Sequence, residues 1–124
     1  MTRSADELVT EFCRKWATAD PEELAGYFTE DGTYHNIPME AVQGREAIKE
    51  FIAGFTAGFD GIDFQVHRQV SDGDLVINER TDVMRRKEGQ PIRLPVTGVF
   101  EIENGQIKAW RDYFDMATVT KALS

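Results

Sequence analysis

The hydrophobic pattern of the chain changes its period near Gly61, and this change limits the folds that the sequence can adopt. Before that point, apolar residues recur three or four positions apart, as Leu8, Phe12 and Trp16 do, which is typical of amphipathic helices. From Ile62 onward, apolar and polar residues alternate, which is typical of half-buried strands. Helices followed by antiparallel strands predict an α+β fold. In that fold, helices pack on the concave face of a curved mixed, mostly antiparallel sheet and form a conical pocket.

Two helix starts are visible in the first part of the chain. Ser4 and Glu7 have the spacing of a capping box, and Pro21 follows Asp20 at the first position of a second helix. We expect this second helix to be short, with Phe28 on its inward face. The remaining predicted elements are a turn at 31–32, a strand over 33–36, a third helix opening at Gly44 and containing Gly54 and Gly58, a strand from Gly61, strands over Leu75–Arg86, Ile92–Glu103 and 107–114, and a helix over about 117–123.

Composition narrows the class of protein and its partners. The chain has 124 residues, of which 41% are hydrophobic, so we expect a single domain over 1–124 with a core of its own. Its net charge of −8 disfavours a nucleic-acid or anionic-membrane partner, because phosphate binding requires a basic surface. One cysteine, Cys13, excludes an intrachain disulfide, and two histidines without a cysteine cluster predict no dedicated metal site. No apolar stretch reaches the ~20 residues that span a bilayer and no apolar signal segment is visible, so we expect a cytoplasmic protein.

Two predicted strands carry charged and apolar residues on the same face. Period two gives the strand over Leu75–Arg86 one face that carries Asn78, Arg80, Asp82 and Met84. On the last strand, Asp112 lies between Trp110 and Phe114 on one face. A plain core strand would not carry these charges, so the two faces are candidates for a site. Two simpler interpretations stay open: Asp112 is a structural acid in the core, and Arg80 and Asp82 form a solvated pair.

Charge arithmetic favours a proton-transfer role for these residues. One Arg80 between Asp82 and Asp112 leaves one excess negative charge if both carboxyls are ionised, and burying that charge costs several kcal/mol. The less costly state leaves a proton on one carboxyl, whose pKa is raised by desolvation and by its like-charged neighbour. The set then contains one acid and one base, joined by an arginine that orients both.

A third element, Tyr34-His35-Asn36, precedes Pro38. Alternation places Tyr34 and Asn36 on one face and His35 on the other, where we expect a surface or structural histidine. A phenol and a carboxamide can both hydrogen-bond a water molecule without taking its proton. The simpler interpretation is a core tyrosine and an asparagine that closes a turn.

These segments together resemble the limonene-1,2-epoxide hydrolase family. The matching segments are Tyr34-His35-Asn36, Glu79-Arg80-Thr81-Asp82-Val83 and Trp110-Arg111-Asp112-Tyr113-Phe114-Asp115. Their order and spacing are similar over nearly the whole chain. The resemblance implies a cone-shaped α+β fold of the SnoaL-like or nuclear-transport-factor-like type, a homodimer, and no cofactor.

The resemblance also assigns roles by position. Asp112 corresponds to the general base that deprotonates water, and Asp82 to the acid that protonates the epoxide oxygen. Tyr34 and Asn36 correspond to the residues that hold the water, and Arg80 to the bridge between the acids. The implied reaction is one concerted step that gives a vicinal diol without a covalent enzyme ester. This agrees with the residues, since water is a weak nucleophile without a base and the leaving oxygen needs a proton.

The expected pocket wall is apolar, which suits a small hydrophobic epoxide, cyclic or terpene-like. By position, the candidate substrate contacts are Met84, Leu94, Val96, Trp110 and Phe114, with Phe51 or Phe55 from the third helix. A plain core role is an equally good interpretation for each of them.

Two other functional classes fit the same fold. An isomerase or cyclase of the ketosteroid-isomerase or SnoaL type needs a base near a carbonyl and an oxyanion donor, but no arginine between two acids. A non-catalytic domain that binds a small apolar ligand tolerates the pocket but gains nothing from three buried charges. The fold alone does not separate these classes.

Overall fold

The computed structural model describes residues 3–123, which form four helices and six strands. The helices are α1 (Ala5–Lys15), α2 (Pro21–Ala25), α3 (Arg45–Thr56) and α4 (Met116–Leu123). The strands are β1 (Phe28–Asn36), β2 (Val42–Gln43), β3 (Phe59–Asp72), β4 (Leu75–Arg86), β5 (Ile92–Glu103) and β6 (Gln106–Tyr113). The strands form one curved sheet in the order β2-β1-β6-β5-β4-β3. The predicted α+β class is therefore confirmed.

The first two helices begin where the capping sequences predict. Ser4 accepts a hydrogen bond from the backbone N–H of Glu7 (3.1 Å), and the Glu7 carboxylate accepts one from the backbone N–H of Ser4 (3.0 Å). Asp20 caps α2 through the backbone N–H of Glu22 (3.1 Å), with Pro21 at the first helical position. Caps of this kind contribute about 1 kcal/mol each and fix where a helix begins.

One pair of strands is parallel, and it decides which residues meet in the middle of the sheet. β1 runs parallel to β6, whereas the other neighbouring strands are antiparallel. The parallel register sets Tyr34 opposite Trp110 and Asn36 opposite Asp112. The antiparallel register of β5 and β6 then sets Asp112 opposite Gly98. Side chains from distant parts of the chain therefore lie next to one another.

The expected end of the second helix was wrong. Phe28 is the first residue of β1 and not an inward residue of α2. It pairs with Ile107, whose backbone N–H also donates to the carbonyl of Tyr27 (2.8 Å). Residues 31–32, expected to form a turn, lie inside β1 where the register shifts between Phe28 and Thr33. Pairing with a distant strand thus keeps this segment extended.

The third helix is shorter than expected. α3 ends at Thr56, so Gly58 lies beyond it and Phe59 begins β3. Pairing of Phe59 with Arg86 draws this part of the chain into the sheet. The expected limits of β4 and β5 are confirmed. β6 begins and ends one residue earlier than expected, so Phe114 follows it, and α4 begins one residue earlier than expected.

The core lies between α1, α2 and α3 and the concave face of the sheet, and its centre is aromatic. The ring of Phe12 packs edge-on against Trp110 (centroids 5.0 Å apart), which also stacks on Phe100. Cys13 is buried in the same core, and burial raises the pKa of its thiol to about 12, so the thiol stays protonated. Within residues 3–123, no helix is long and apolar enough to cross a bilayer.

Candidate active site

Arg80 lies at the centre of a buried polar group on the concave face of the sheet. Only 1% of Arg80 is exposed. Its Nε donates to Oδ1 of Asp82 (2.7 Å) and its Nη2 to Oδ2 of the same residue (3.2 Å). Nη2 also donates to Oδ2 of Asp112 (2.5 Å). The guanidinium therefore holds both carboxyls in fixed orientations through charge-assisted hydrogen bonds.

The two carboxyls have raised pKa values because they are buried. The pKa of Asp112 is raised to about 6, chiefly by burial and also by the charge of Asp82, against the opposing effect of Arg80. Burial also raises the pKa of Asp82, again against the effect of Arg80. Since the two carboxyls interact strongly, they titrate as a pair. One shared proton makes the three side chains electrically neutral, which is the least costly state in a buried site.

Gly98 leaves the space that the guanidinium occupies. It lies on β5 between Asn78 of β4 and Asp112 of β6. A Cβ atom at this position would lie 2.4 Å from Nη1 of Arg80 and 2.8 Å from Oδ1 of Asp112. Both distances are shorter than non-bonded contacts allow, so the absence of a side chain lets Arg80 reach both carboxyls.

We expect Gly98→Ala to displace Arg80 and to lower the free energy of unfolding by about 1–3 kcal/mol, as overpacking of a core does. Gly54→Ala is the matched control, because a Cβ there meets nothing within 4 Å and alanine favours a helix. Urea denaturation of both variants measures the difference. Equal stability of the two variants would contradict the close approach at Gly98.

Tyr34 and Asn36 lie beside Asp112 because β1 and β6 are parallel. Asn36 is half-buried and directly opposite Asp112 in the register. The Tyr34 ring stacks on Trp110, with centroids 4.3 Å apart and planes at 4°. Burial raises the pKa of the Tyr34 phenol, so its hydroxyl remains a hydrogen-bond donor. Tyr34, Asn36 and Asp112 line one space, and His35 is not among the residues that line it.

This space is a pocket between the helices and the concave face of the sheet. Its volume is about 610 Å³, including the solvent-open space at its mouth. Its polar lining residues are Tyr34, Asn36, Asp82 and Asp112. Its apolar wall includes most of the expected substrate contacts, namely Phe51, Phe55, Met84, Leu94, Val96 and Phe114. In the part of the chain that the structure describes, no Lys, Arg or His side chain lines this pocket, since Arg80 lies behind the two carboxyls.

Trp110 lies behind the pocket surface, and in this respect the sequence expectation needs correction. Its side chain is fully buried and stacks on Tyr34 on the pocket side and on Phe100 in the core. Alternation correctly put Trp110 on the same strand face as Asp112, but the Tyr34 ring covers it. Trp110 therefore supports Tyr34 and does not contact the pocket space.

The sequence did not reveal several residues that also line the pocket. These are Trp16, Met39, Ile62, Phe64, Met116 and Val119. Phe64 had a usable signal, because it alternates with Ile62 on β3 and pairs with Asp82. Its ring lies 4.3 Å from the guanidinium carbon of Arg80 and stacks on Trp16, so it covers the arginine. Met39 lies in a loop, where periodicity gives no signal.

The side chains gathered here can hold and transfer protons. They comprise two carboxyls of raised pKa, a phenol and a carboxamide around one space. Among residues 3–123, no group of three or more His, Cys, Asp or Glu residues is arranged to hold a metal ion.

Comparison with known proteins identifies the family of the chain. Residues 9–110, which are more than half of the chain, match the family described as the SnoaL-like domain. The epoxide hydrolase EphG of Mycobacterium tuberculosis is 33% identical over 96 residues, which are 76% of this chain and 62% of that protein. The match therefore spans less than two thirds of the length of this relative.

Solved structures agree with the family match. An LEH-like epoxide hydrolase from M. tuberculosis superposes with a TM-score of 0.82 at 28% identity, covering 96% of this chain and 88% of that chain. A protein of ketosteroid-isomerase-like fold from Catenulispora acidiphila superposes with a TM-score of 0.81 at 24% identity, covering 96% and 91%, which shows the fold alone. The resemblance inferred from the three sequence segments is thereby confirmed, and the chain belongs to the SnoaL-like domain family.

Proposed function

We propose that this chain is an epoxide hydrolase, acting as one domain over 1–124, that adds water to a small hydrophobic epoxide and releases a vicinal diol. The main observation behind the proposal is the buried set of Asp82, Arg80 and Asp112 at an apolar pocket. A domain that only binds an apolar ligand gains nothing from burying three ionisable groups, which costs several kcal/mol. Opening an epoxide needs a base for water and an acid for the leaving oxygen, and this set can supply both. Similarity to epoxide hydrolases of M. tuberculosis supports the same reaction.

In the proposed step, Tyr34 and Asn36 hold a water molecule beside Asp112. Asp112 takes a proton from this water as its oxygen bonds to an epoxide carbon. The bond between that carbon and the ring oxygen breaks, and the ring oxygen takes the proton of Asp82. The two carboxyls together hold one proton before and after the step, so the charge that Arg80 balances does not change. No covalent enzyme ester forms.

The two carboxyls differ in how many of their oxygens Arg80 holds. Both oxygens of Asp82 accept hydrogen bonds from Arg80. Only Oδ2 of Asp112 does so, and Oδ1 is buried without a hydrogen-bond partner among the described residues. A buried acceptor without a donor is costly. A water molecule that donates to Oδ1 would satisfy it, which is the contact that a base acting on water needs.

The pocket favours a neutral and apolar substrate. Its lining is mostly aromatic and aliphatic, as in small-molecule sites. A charged epoxide would lose its hydration against a wall of aromatic and aliphatic side chains, which is unfavourable without an ionic partner. Asp82 and Asp112, the acids that line the pocket, would repel an anionic substrate. We therefore expect neutral cyclic or terpene-like epoxides to be the better substrates.

We expect kcat/KM for such an epoxide to fall at low pH, as the pair of carboxyls takes up its second proton. Asp112 must be ionised to accept a proton, and burial raises its pKa above the value of about 4 of an ordinary aspartate. The step also needs the one proton that the pair shares, so kcat/KM falls again at higher pH as the pair loses that proton. A pH–rate profile measures both limbs, and an acid limb near the ordinary value of about 4 would contradict a buried base.

A product assay on a panel of neutral epoxides tests the function. Diols are measured by gas chromatography for the wild type, Asp82→Asn and Asp112→Asn, without added metal or cofactor. We expect diols from the wild type and from neither variant. No turnover across the panel would favour the ligand-binding domain, and a carbonyl product in place of a diol would favour the isomerase.

A further inference from the structure

We propose that Asn78 and Gln69 are positioning residues for Arg80. They belong to a hydrogen-bonded chain that runs from Asp6 through Gln69 and Asn78 to the guanidinium, which we call the Asn78–Gln69 relay. The relay approaches Arg80 from the side of α1, away from the pocket. Its effect on turnover rests on the proposed function, because Arg80 acts there through the two carboxyls that it binds.

Asn78 contributes a neutral acceptor to the guanidinium. Nη1 of Arg80 donates to Oδ1 of Asn78 (3.0 Å), and Asn78 is only 1% exposed. With the bonds to Asp82 and Asp112, four of the five guanidinium N–H donors have acceptors among residues 3–123. A third carboxylate in this place would add a buried negative charge that Arg80, already balanced by the two carboxyls and their shared proton, could not neutralise. An amide oxygen orients Arg80 without this cost.

Each amide in the relay is oriented by the group behind it. Nδ2 of Asn78 donates to Oε1 of Gln69 (3.1 Å) and approaches Sγ of Cys13 (3.7 Å), so Oδ1 faces Arg80. Nε2 of Gln69 donates to Oδ1 of Asp6 (2.8 Å), so Oε1 faces Asn78. Nε2 of Gln69 also donates to the backbone carbonyl of Asp6 (3.2 Å), so the two oxygens of Asp6 set the direction of the whole relay. The group presented to Arg80 is an acceptor and not a donor.

A bulge in β3 brings Gln69 to this position. Val66 pairs with Arg80, but one extra residue then precedes Arg68, and Gln69 pairs with Asn78. Without the extra residue, Arg68 would lie opposite Asn78 and place a second cation beside the guanidinium. Bulges often re-aim a side chain next to a functional site. The bulge therefore places the amide of Gln69 next to Asn78, where the guanidinium of Arg68 would otherwise lie.

The test compares two glutamines on the same strand. Gln69→Leu removes the acceptor that orients Asn78, and Gln65→Leu makes the same change at an exposed position of β3. We expect Gln69→Leu to lower kcat about tenfold, a typical coupling between contacting residues, while KM stays within about twofold. Gln65→Leu is expected to match the wild type.

The acid limb of the pH profile should also move to higher pH in Gln69→Leu. Without this acceptor, the Asn78 amide can rotate so that its NH2 group faces Arg80. This weakens the hydrogen bond from Arg80 to Asp112. Because Arg80 lowers the pKa of Asp112, that pKa then rises. The other ionisable groups that face Asp112 are Asp82 on β4, Tyr34 on β1 and Cys13 on α1, and the substitution changes none of them.

Carbon-13 NMR titration of the aspartate carboxyls follows the pKa of Asp112 without any substrate. A higher Asp112 pKa in Gln69→Leu, and not in Gln65→Leu, would support the relay even if the wild type opened no epoxide. Equal Asp112 pKa values and equal acid limbs in the wild type and both variants would overturn it, whatever the activity. Thermal melting checks folding, and Gln69→Ala makes the same deletion with a smaller side chain if Gln69→Leu does not fold.

Discussion

Asp112→Asn is expected to lower kcat/KM for an epoxide by about 10³-fold, within the usual contribution of a general base. The carboxamide keeps the shape of the carboxyl and can still accept the hydrogen bond from Nη2 of Arg80. It cannot take a proton from water, so the nucleophile is no longer activated. Steady-state kinetics on the best epoxide of the panel measures the loss, and circular dichroism shows whether the fold is kept.

The matched control for this prediction is Asp72→Asn, which makes the same change at the exposed end of β3. It removes one negative charge from the surface and leaves the pocket unchanged. We expect full activity in Asp72→Asn. Turnover that survives in Asp112→Asn at more than a tenth of the wild-type rate would show that Asp112 is not the base.

Arg80→Met is expected to lower the free energy of unfolding by about 3–5 kcal/mol, as breaking a buried ion pair does. It leaves Asp82 and Asp112 buried without their shared donor. Arg80 lowers the pKa of both carboxyls, so its removal raises both values, and the site loses its ionised base. A group whose pKa is raised in the folded state loses its stabilising effect as the pH rises through that pKa, so the deficit relative to the wild type should grow above the wild-type Asp112 pKa of about 6. Denaturant unfolding at several pH values measures this trend.

Arg111→Met provides the control, since Arg111 precedes Asp112 on β6 but forms a half-exposed ion pair with Glu101 (2.6 Å). Surface pairs of this kind contribute about 0–1 kcal/mol. We expect Arg111→Met to keep nearly all of its stability and activity. A variant Arg80→Met that is as stable as Arg111→Met, or that still opens epoxides, would contradict the central role of the arginine.

Strand periodicity made the charged set predictable from the sequence. β4 and β5 have the expected limits because strict alternation ends at strong turn sequences, such as Asn104-Gly105. Side chains two residues apart on a strand share a face, so Arg80 and Asp82 had to lie together. The structure places both in one buried hydrogen-bonded group with Asp112.

Contacts between distant segments were not predictable from local pattern. The parallel pairing of β1 with β6 puts Asn36 beside Asp112, and only the family resemblance suggested this neighbourhood. The same pairing keeps Phe28 in a strand although a turn sequence follows it. Alternation also cannot tell how deep a residue lies, which is why Trp110 was expected at the pocket surface. The β3 bulge that re-aims Gln69 leaves no mark in a hydrophobic pattern.

The central claim is that water, activated by Asp112, opens the epoxide in one step without a covalent ester. A single turnover in heavy-oxygen water, with enzyme in excess over epoxide, tests it most directly. We predict that the first diol carries one heavy oxygen and that peptides containing Asp82 and Asp112 carry none. An unlabelled first diol, with heavy oxygen then found in one of these carboxyls, would contradict the account, because it requires an aspartate as the nucleophile.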